Sequence, residues 1–492
     1  MQASTTLSYS RRDWQQGYRS LRNEFDYWID EIEGTIPPEL TGTLFRNGPG
    51  LLDVNGQRLH HPFDGDGMIC AIAFKEGRAH FRNRFVRTKE YLTEQQAGKI
   101  CYRGVFGTEK PGGWLANMFD VRLKNIANTQ VIYWGGKLLA LWEAAQPYGL
   151  DPKTLETIGL DNLGGGLNPG ESFAAHPWVD PACKADQGDP CLVNFSVSPG
   201  LSTKITLYEL DLRGIVVRKK SHSIPGFAFL HDCAITPNYV IFFQNPVKYN
   251  PLPFVMGMKS AAQCIQVAPD QPTRIILIPR HHQGAPIILP TQAGFVFHHV
   301  NAFEQDGQVV VDSVCYDGFP VIDENEDYLN VDFDHVLPGR LHRFHLDLTQ
   351  KSVQVTCLAD RSCEFPQVHP QHVGRPYRYT YIGATHADDG NAPLQAIWKV
   401  DMENPTQQQL WSFAPRGFIG EPIFVPRPGS DIEDDGWILT LVFNAERNKS
   451  ELAILEAHSL SQGPVATLKL KHHVPYGLHG SFTWDYLGPD DP

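Results

Sequence analysis

The chain has 492 residues, is 42% hydrophobic and 20% charged, and carries a net charge of −13 at pH 7. Its Lys and Arg residues are scattered, which excludes a basic face for nucleic acid. The longest apolar runs, IILIP (275–279) and WILTLVF (437–443), fall well short of the roughly 18 residues that span a bilayer.

The N-terminal residues MQASTTLSYSRRDWQQGYRS contain no apolar core of a signal peptide, and about 1–20 reads as an irregular or partly ordered segment. Helical periodicity is expected over 11–32 and again over roughly 112–127. Beyond that, short segments rich in Val, Ile, Leu, Phe and Tyr follow one another between glycines and prolines: NTQVIYWGGKLLALWE (128–143), KITLYELDL (204–212), YVIFFQN (239–245), QVVVDSVCY (308–316), RLHRFHLDL (340–348) and GWILTLVFN (436–444). WGGK and EQDGQ predict hairpin turns in which glycine supplies a positive φ. Many short strands without a break or linker predict an all-β architecture, 1–492 forming one propeller. Nine cysteines, an odd number without a C-x-x-C pair, argue against a disulfide framework or a zinc ribbon and for a reducing, cytoplasmic setting.

Several local patterns carry no chemistry. GLDNLGGGL (159–167) lacks the strand-to-helix context of a phosphate cradle. DENEDYLNVDFD (323–334) begins like a calcium loop, but Tyr328 stands at the turn glycine and the closing Glu is absent. FDGDGM (63–68) is a tight turn. His281, His282, His342, His345, His369, His372, His472 and His473 read as surface or satisfied core histidines.

Four histidines differ, each following an apolar stretch: His176 in SFAAHPWVDP, His231 in GFAFLHDCAIT, His298 in GFVFHHVNAFE and His479 in VPYGLHGSF. Glu143 (LLALWEAAQP), Glu364 (RSCEFPQVHP) and Glu421 (GFIGEPIFVP) share that setting, poorly solvated and in need of partners. In chain order the seven are spaced by 33, 55, 67, 66, 57 and 58 residues. Apart from the first, these intervals approximate one blade of four strands, so one residue per blade would converge on the propeller axis. Neutral imidazoles are good ligands for Fe(II), Zn(II) and Cu(II). Carboxylates behind them orient the rings while leaving the ligand set neutral. Four neutral ligands on an octahedral ion leave two positions open, which suits Fe(II) and dioxygen better than a closed structural zinc. Of the adjacent His298 and His299, strand alternation lets only one face the axis, and alternation does not say which.

AAHPWVDP, FLHDCAIT, FHHVNAFE and GLHGSF together resemble the carotenoid cleavage oxygenase family, as do FRNGPG (45–50), HPFDGDGM (61–68), LKNIANT (123–129), GEPIFVPRPG (420–429) and EDDGW (433–437). The resemblance covers nearly the whole chain. It implies a seven-bladed β-propeller with a dome of loops and short helices over a central iron. It also implies His176, His231, His298 and His479 as Fe(2+) ligands, with Glu143, Glu364 and Glu421 behind them. The family pattern selects His298 over its neighbour, leaving His299 to pack within a blade or an interface.

The implied reaction is cleavage of an apocarotenoid double bond by dioxygen, at the 15,15′ position, giving retinal-type aldehydes. A rigid apolar polyene needs an aromatic tunnel, for which Phe63, Phe106, Trp142, Phe297, Tyr316 and Phe365 are candidates; Thr129 is expected to crowd a vacant iron position. The rivals are a stilbene- or phenylpropenoid-cleaving oxygenase, which would need a phenol-activating Tyr–Lys pair, and a non-catalytic propeller that binds lipid or protein. A lipid-soluble substrate further implies peripheral contact with a membrane surface, through 251–258 (PLPFVMGM), with Leu252, Phe254, Val255 and Met256 exposed, and through 114–119 (WLANMF).

Overall fold

The computed structural model describes residues 9–184, 188–200, 202–292, 294–319 and 327–490. Seven antiparallel sheets of four to six strands form the blades of a β-propeller. Numbered in chain order of their innermost strands, the blades begin at the axis with Gln130–Trp134, Trp178–Asp180, Ala234–Ile235, Phe295–Gln305, Cys363–Val368, Ile423–Pro426 and Gly480–Thr483. The two long apolar runs lie in middle strands, Thr273–Pro279 of blade 3 and Gly436–Asn444 of blade 6. Both faces of those strands are covered by neighbouring blades, so their sequences are continuously apolar. At the rim, Val216–Pro225 of blade 2 alternates between half-buried and exposed residues, as a strand with one wet face does.

The ring closes without a covalent bond. Gly480–Thr483 from the end of the chain pairs with Gly42–Arg46 near its start, in the register Thr43 to Thr483 and Arg46 to Gly480. Ile32–Gly34 pairs with the outside of blade 6 at Pro464–Lys469. The WGGK and EQDGQ turns join consecutive strands as expected, with positive φ at Gly135, Gly136, Asp306 and Gly307.

Because strands alternate in direction, every second loop of a blade emerges at the end where the inner strands start. The long insertions 47–65, 86–128 and 245–272, with the described residues 317–319 and 327–339, emerge at that end, forming the dome. It holds a 3₁₀ turn at Pro62–Asp64 and short helices at Lys89–Ala97, Gly113–Asn117 and Leu252–Val255. No helix among the described residues is long and apolar enough to cross a membrane.

The helix expectations need correction. Only Arg11–Gln15 of 11–32 is helical, and Asp26–Trp28 and Ile32–Gly34 are strands. Gly17 packs so closely on the Tyr476 ring that a Cβ would lie 2.2 Å from it; tertiary contact, rather than helical periodicity, shapes this segment. Of 112–127 only Gly113–Asn117 is helical, and Phe119 turns the chain at φ 62°. Lys89–Ala97 was not anticipated, although Thr88 caps its start and left-handed Gly98 its end, both legible signals. Cys183, in the loop after the inner strand of blade 2, and Cys191, the first residue of its second strand, pair as a disulfide at the end away from the dome, against the expectation of free thiols; the other seven cysteines are free. The first four residues of DENEDYLNVDFD and residues 1–8 lie outside the described residues. Asp327 pairs with Arg58 at 2.7 Å.

Candidate metal centre

Each blade places one polar residue at or beside the start of its inner strand. His176, His231 and His298 belong to blades 2, 3 and 4, Glu364 and Glu421 to blades 5 and 6, and His479 to blade 7. Blade 1 contributes Thr129 at that position. Glu143 instead follows the second strand of blade 1, Lys137–Leu141, whose end is hydrogen-bonded back to Thr129 (Thr129 N to Leu141 O, 3.1 Å). The short first interval of 33 residues thus reflects a different strand of the blade.

The four histidines converge. Each offers one ring nitrogen, and the four nitrogens lie within 4.8 Å of one another. The His176 ring centroid is 4.4, 5.0 and 4.5 Å from those of His231, His298 and His479. Three rings are aimed from behind: His231 Nδ1 donates to Glu143 (2.9 Å), His298 Nδ1 to Glu364 (2.5 Å) and His479 Nδ1 to Glu421 (2.9 Å). Those bonds fix the tautomer and turn each Nε2 inward. His176 Nε2 and His231 Nε2 approach to 2.9 Å, and His298 Nε2 is buried without a hydrogen-bond partner. Ligands at about 2.1 Å from one ion, set at right angles, lie about 3 Å apart. An inward-facing imidazole nitrogen set of this spacing fits a divalent cation.

Burial disfavours protonation at three of the rings. It drives His176 well below the ordinary histidine value, helped by the three neighbouring rings, and brings His479 down to about 4. At His298 burial acts the same way, but Glu364 outweighs it and raises the pKa. The centre is more open on one side. His231 and Glu143 side chains are 15% and 26% exposed, against 6% and 4% for His479 and Glu421.

His298 and His299 part as alternation requires. His299 points into blade 4, with Nδ1 2.8 Å from Ser313 Oγ and its ring 4.9 Å from Phe243. Among the tunnel candidates, Phe297 meets His231 edge-on at 5.6 Å, and Phe365 lies 5.7 Å from His298 and 5.2 Å from His479. Trp142 is buried beside Glu143. Phe63 and Phe106 form a separate aromatic group with His61 and Tyr328. Tyr316 packs on Phe297 and also donates its hydroxyl to Glu364 at 2.7 Å. Thr129 is buried; its hydroxyl donates to Asn128 (3.2 Å), and its carbonyl accepts from His479 N (3.1 Å).

Sequence reasoning missed Arg46 and Asp232. Arg46, in FRNGPG, binds Glu421 at 2.5 Å and Leu478 O at 2.9 Å. Asp232 directly follows His231. Both stood inside motifs already singled out, but their partners lie up to 432 residues away, and nothing local reveals that.

The two apolar stretches of the dome meet: Phe119 N donates to Val255 O at 2.7 Å. Exposure is 52%, 64% and 67% at Trp114, Leu115 and Phe119, and 63% and 67% at Leu252 and Met258. Phe254, expected outside, is buried at 6% beneath the Arg103 guanidinium, and Val255 and Met256 are half-buried. A one-turn helix cannot expose every side, and Arg103 claims the inner one.

The sequence matches the retinal pigment epithelial membrane protein (RPE65) family over residues 18–484. It is 55% identical over 477 residues to apocarotenoid-15,15′-oxygenase of Synechocystis sp., covering 96% of this chain and 97% of that protein. It is 31% identical to isoeugenol monooxygenase of Pseudomonas nitroreducens, covering 93% and 95%. The crystal structure of cobalt-substituted Synechocystis ACO superimposes with a TM-score of 0.95 over 97% of this chain and 99% of that one, at 55% identity. With its seven blades and axial histidines, the chain belongs to the RPE65 family, the carotenoid cleavage oxygenases.

Proposed function

We propose that the protein is a non-haem Fe(II)-dependent oxygenase that cleaves the 15,15′ double bond of an apocarotenoid to give retinal-type aldehydes. The observation that carries this reading is the converging four-histidine cluster braced by Glu143, Glu364 and Glu421, in a chain 55% identical to a protein named for that reaction. His176, His231, His298 and His479 would hold the iron, and four neutral ligands leave positions for small molecules. Bound Fe(II) would supply dioxygen activation. The two carbons of the broken bond end as two carbonyls, which together account for both atoms of one O₂.

The remaining groups bind and exclude. Phe297 and Phe365 flank the rings and offer apolar faces to a polyene, with Tyr316 packed on Phe297 and Trp142 beside Glu143; Phe63 and Phe106, grouped apart with His61 and Tyr328, are proposed to line the path farther from the rings. Aromatic faces also favour positive charge on an oxidised polyene. Thr129, next to His479 through its carbonyl, limits the space at the centre. No side-chain acid or base is required.

Relatives named for isoeugenol and lignostilbene, at 31% and 28% identity, supply the competing reading. A phenolic substrate would call on a Tyr–Lys pair. Here the Tyr316 hydroxyl is engaged by Glu364, and buried Lys124 is held by Asp66 and Glu94 at 2.7 Å each. The test is anaerobic Fe(II) loading followed by product analysis with a β-apocarotenal and a stilbene side by side. Retinal from the former supports the proposal. Stilbene cleavage alone, or a purified protein that retains no iron, overturns it.

The same proposal includes a cytoplasmic protein docked peripherally on a membrane through 114–119 and 251–258. Trp114, Leu115, Phe119, Leu252 and Met258 form an exposed apolar face. Burying four such side chains contributes roughly 1.5–3 kcal/mol each, enough for reversible docking. Liposome co-sedimentation should fall sharply for Trp114→Ser/Leu115→Ser/Leu252→Ser/Met258→Ser. Equal binding by that folded variant would refute the docking.

A further inference from the structure

Adjacent blades are separate sheets, so no backbone ladder joins the inner strands of blades 2, 3 and 4. Something else must fix the spacing of His176, His231 and His298, which those strands carry. A single carboxylate spans all three. Asp232 Oδ1 accepts from Trp178 Nε1 at 3.1 Å and from Cys233 N at 2.7 Å, and Oδ2 accepts from His299 N at 2.9 Å. Trp178 lies two residues beyond His176, Asp232 is bonded in sequence to His231, and His299 follows His298. Asp232 is 6% exposed, and its charge is met by three N–H donors, the arrangement that best holds a buried carboxylate. The fourth histidine is held differently, through His479 N to Thr129 O and Arg46 to Leu478 O.

We infer that Asp232 is the positioning residue of the metal centre: by tying the segments behind His176, His231 and His298 to one carboxylate, it sets their mutual spacing and hence how tightly and in what geometry they hold the ion. The inference rests on the metal-site reading above. It assigns Asp232 no contact with metal or substrate.

Asparagine at 232 keeps the shape but has one acceptor oxygen, so it can serve Trp178 and Cys233 or His299, but not both. Trp178→Phe keeps an aromatic side chain but removes the indole N–H donor together with part of the ring's bulk. The experiment loads wild type, Asp232→Asn and Trp178→Phe with Co(II). It reads the visible ligand-field spectrum, the rate of cobalt loss to a chelator and the thermal unfolding midpoint. The expected result for Asp232→Asn is an altered spectrum and cobalt loss about 10–100-fold faster than wild type, with folding retained. Trp178→Phe should change both readouts in the same direction by a smaller factor. A folded Asp232→Asn with wild-type spectrum and wild-type cobalt loss overturns the inference. Should Asp232→Asn not fold, Trp178→Phe decides alone, and unchanged spectrum and rate there overturn it equally. Wild type that binds no cobalt would instead sink the metal-site reading itself, so the two failures are distinguishable.

Discussion

Two histidines of the centre, His298 and His479, are braced by the same motif, yet their pKa values are shifted in opposite directions. His298 donates to Glu364, whose other partners are neutral: the Tyr316 hydroxyl at 2.7 Å and Phe365 N at 2.8 Å. His479 donates to Glu421, which is already engaged by Arg46 at 2.5 Å and by Gly480 N at 2.9 Å. Burial opposes protonation at both rings. It is outweighed at His298, whose pKa rises, and it prevails at His479, which falls to about 4. Glu364, with Asp232 and Glu421, outweighs burial at His298, whereas at His479 burial and the neighbouring His298 and His231 rings outweigh Glu421, whose charge is shared with Arg46. A His–Glu pair is therefore defined by its surroundings as well as by its two members.

The comparison breaks completely when either ligand is removed. His298→Ala and His479→Ala should each abolish metal retention, measured by elemental analysis of the purified protein. His299→Ala should keep its metal while losing stability, since its ring fills blade 4. Metal lost from His299→Ala but kept by His298→Ala would reverse the assignment.

Next in size is Arg46→Met. It strands Glu421 as a buried anion, and breaking such a pair costs about 3–5 kcal/mol. The expected outcome is a large drop in the unfolding midpoint and a rise in the His479 pKa toward that of His298. A variant of wild-type stability would show that Arg46 does not compensate Glu421.

Smaller effects sharpen the contrast. Glu364→Gln and Glu421→Gln should weaken metal affinity about 10–100-fold. Only Glu421→Gln should also cost folding stability, because it leaves Arg46 unpaired. In the metal-free protein, NMR titration should find His298 protonating at a higher pH than His479, since a raised pKa means the proton binds first as pH falls. Glu364→Gln should bring His298 down. Coincident titration of the two rings would contradict the comparison. The smallest effect is expected for Tyr316→Phe, which removes one of three hydrogen bonds to Glu364 and should shift metal affinity by less than about tenfold. A loss as large as that of Glu364→Gln would give Tyr316 a greater role than bracing.

The periodic placement was legible because six of the seven blades begin at the axis with one of these residues, and a blade's length sets the interval. Glu143 departs from that interval because it closes the second strand of blade 1 rather than opening the first. The helix expected over 11–32 failed for a related reason. Those residues are anchored by partners far along the chain, such as Tyr476 on Gly17, and a local pattern contains no information about such partners.

The sequence by itself determined the strands, the hairpin turns and which imidazoles and carboxylates stand at strand ends, because burial on one or two faces writes its own periodicity into a strand. Only the tertiary structure decided that Phe254 turns under Arg103 while Met258 stays outside, that Arg46 neutralises Glu421 across 375 residues, and that Asp232 bridges three blades. Those facts depend on which strands become neighbours around the ring. That is fixed by closing Gly42–Arg46 onto Gly480–Thr483, a contact between the two ends of the chain that no local stretch of sequence encodes.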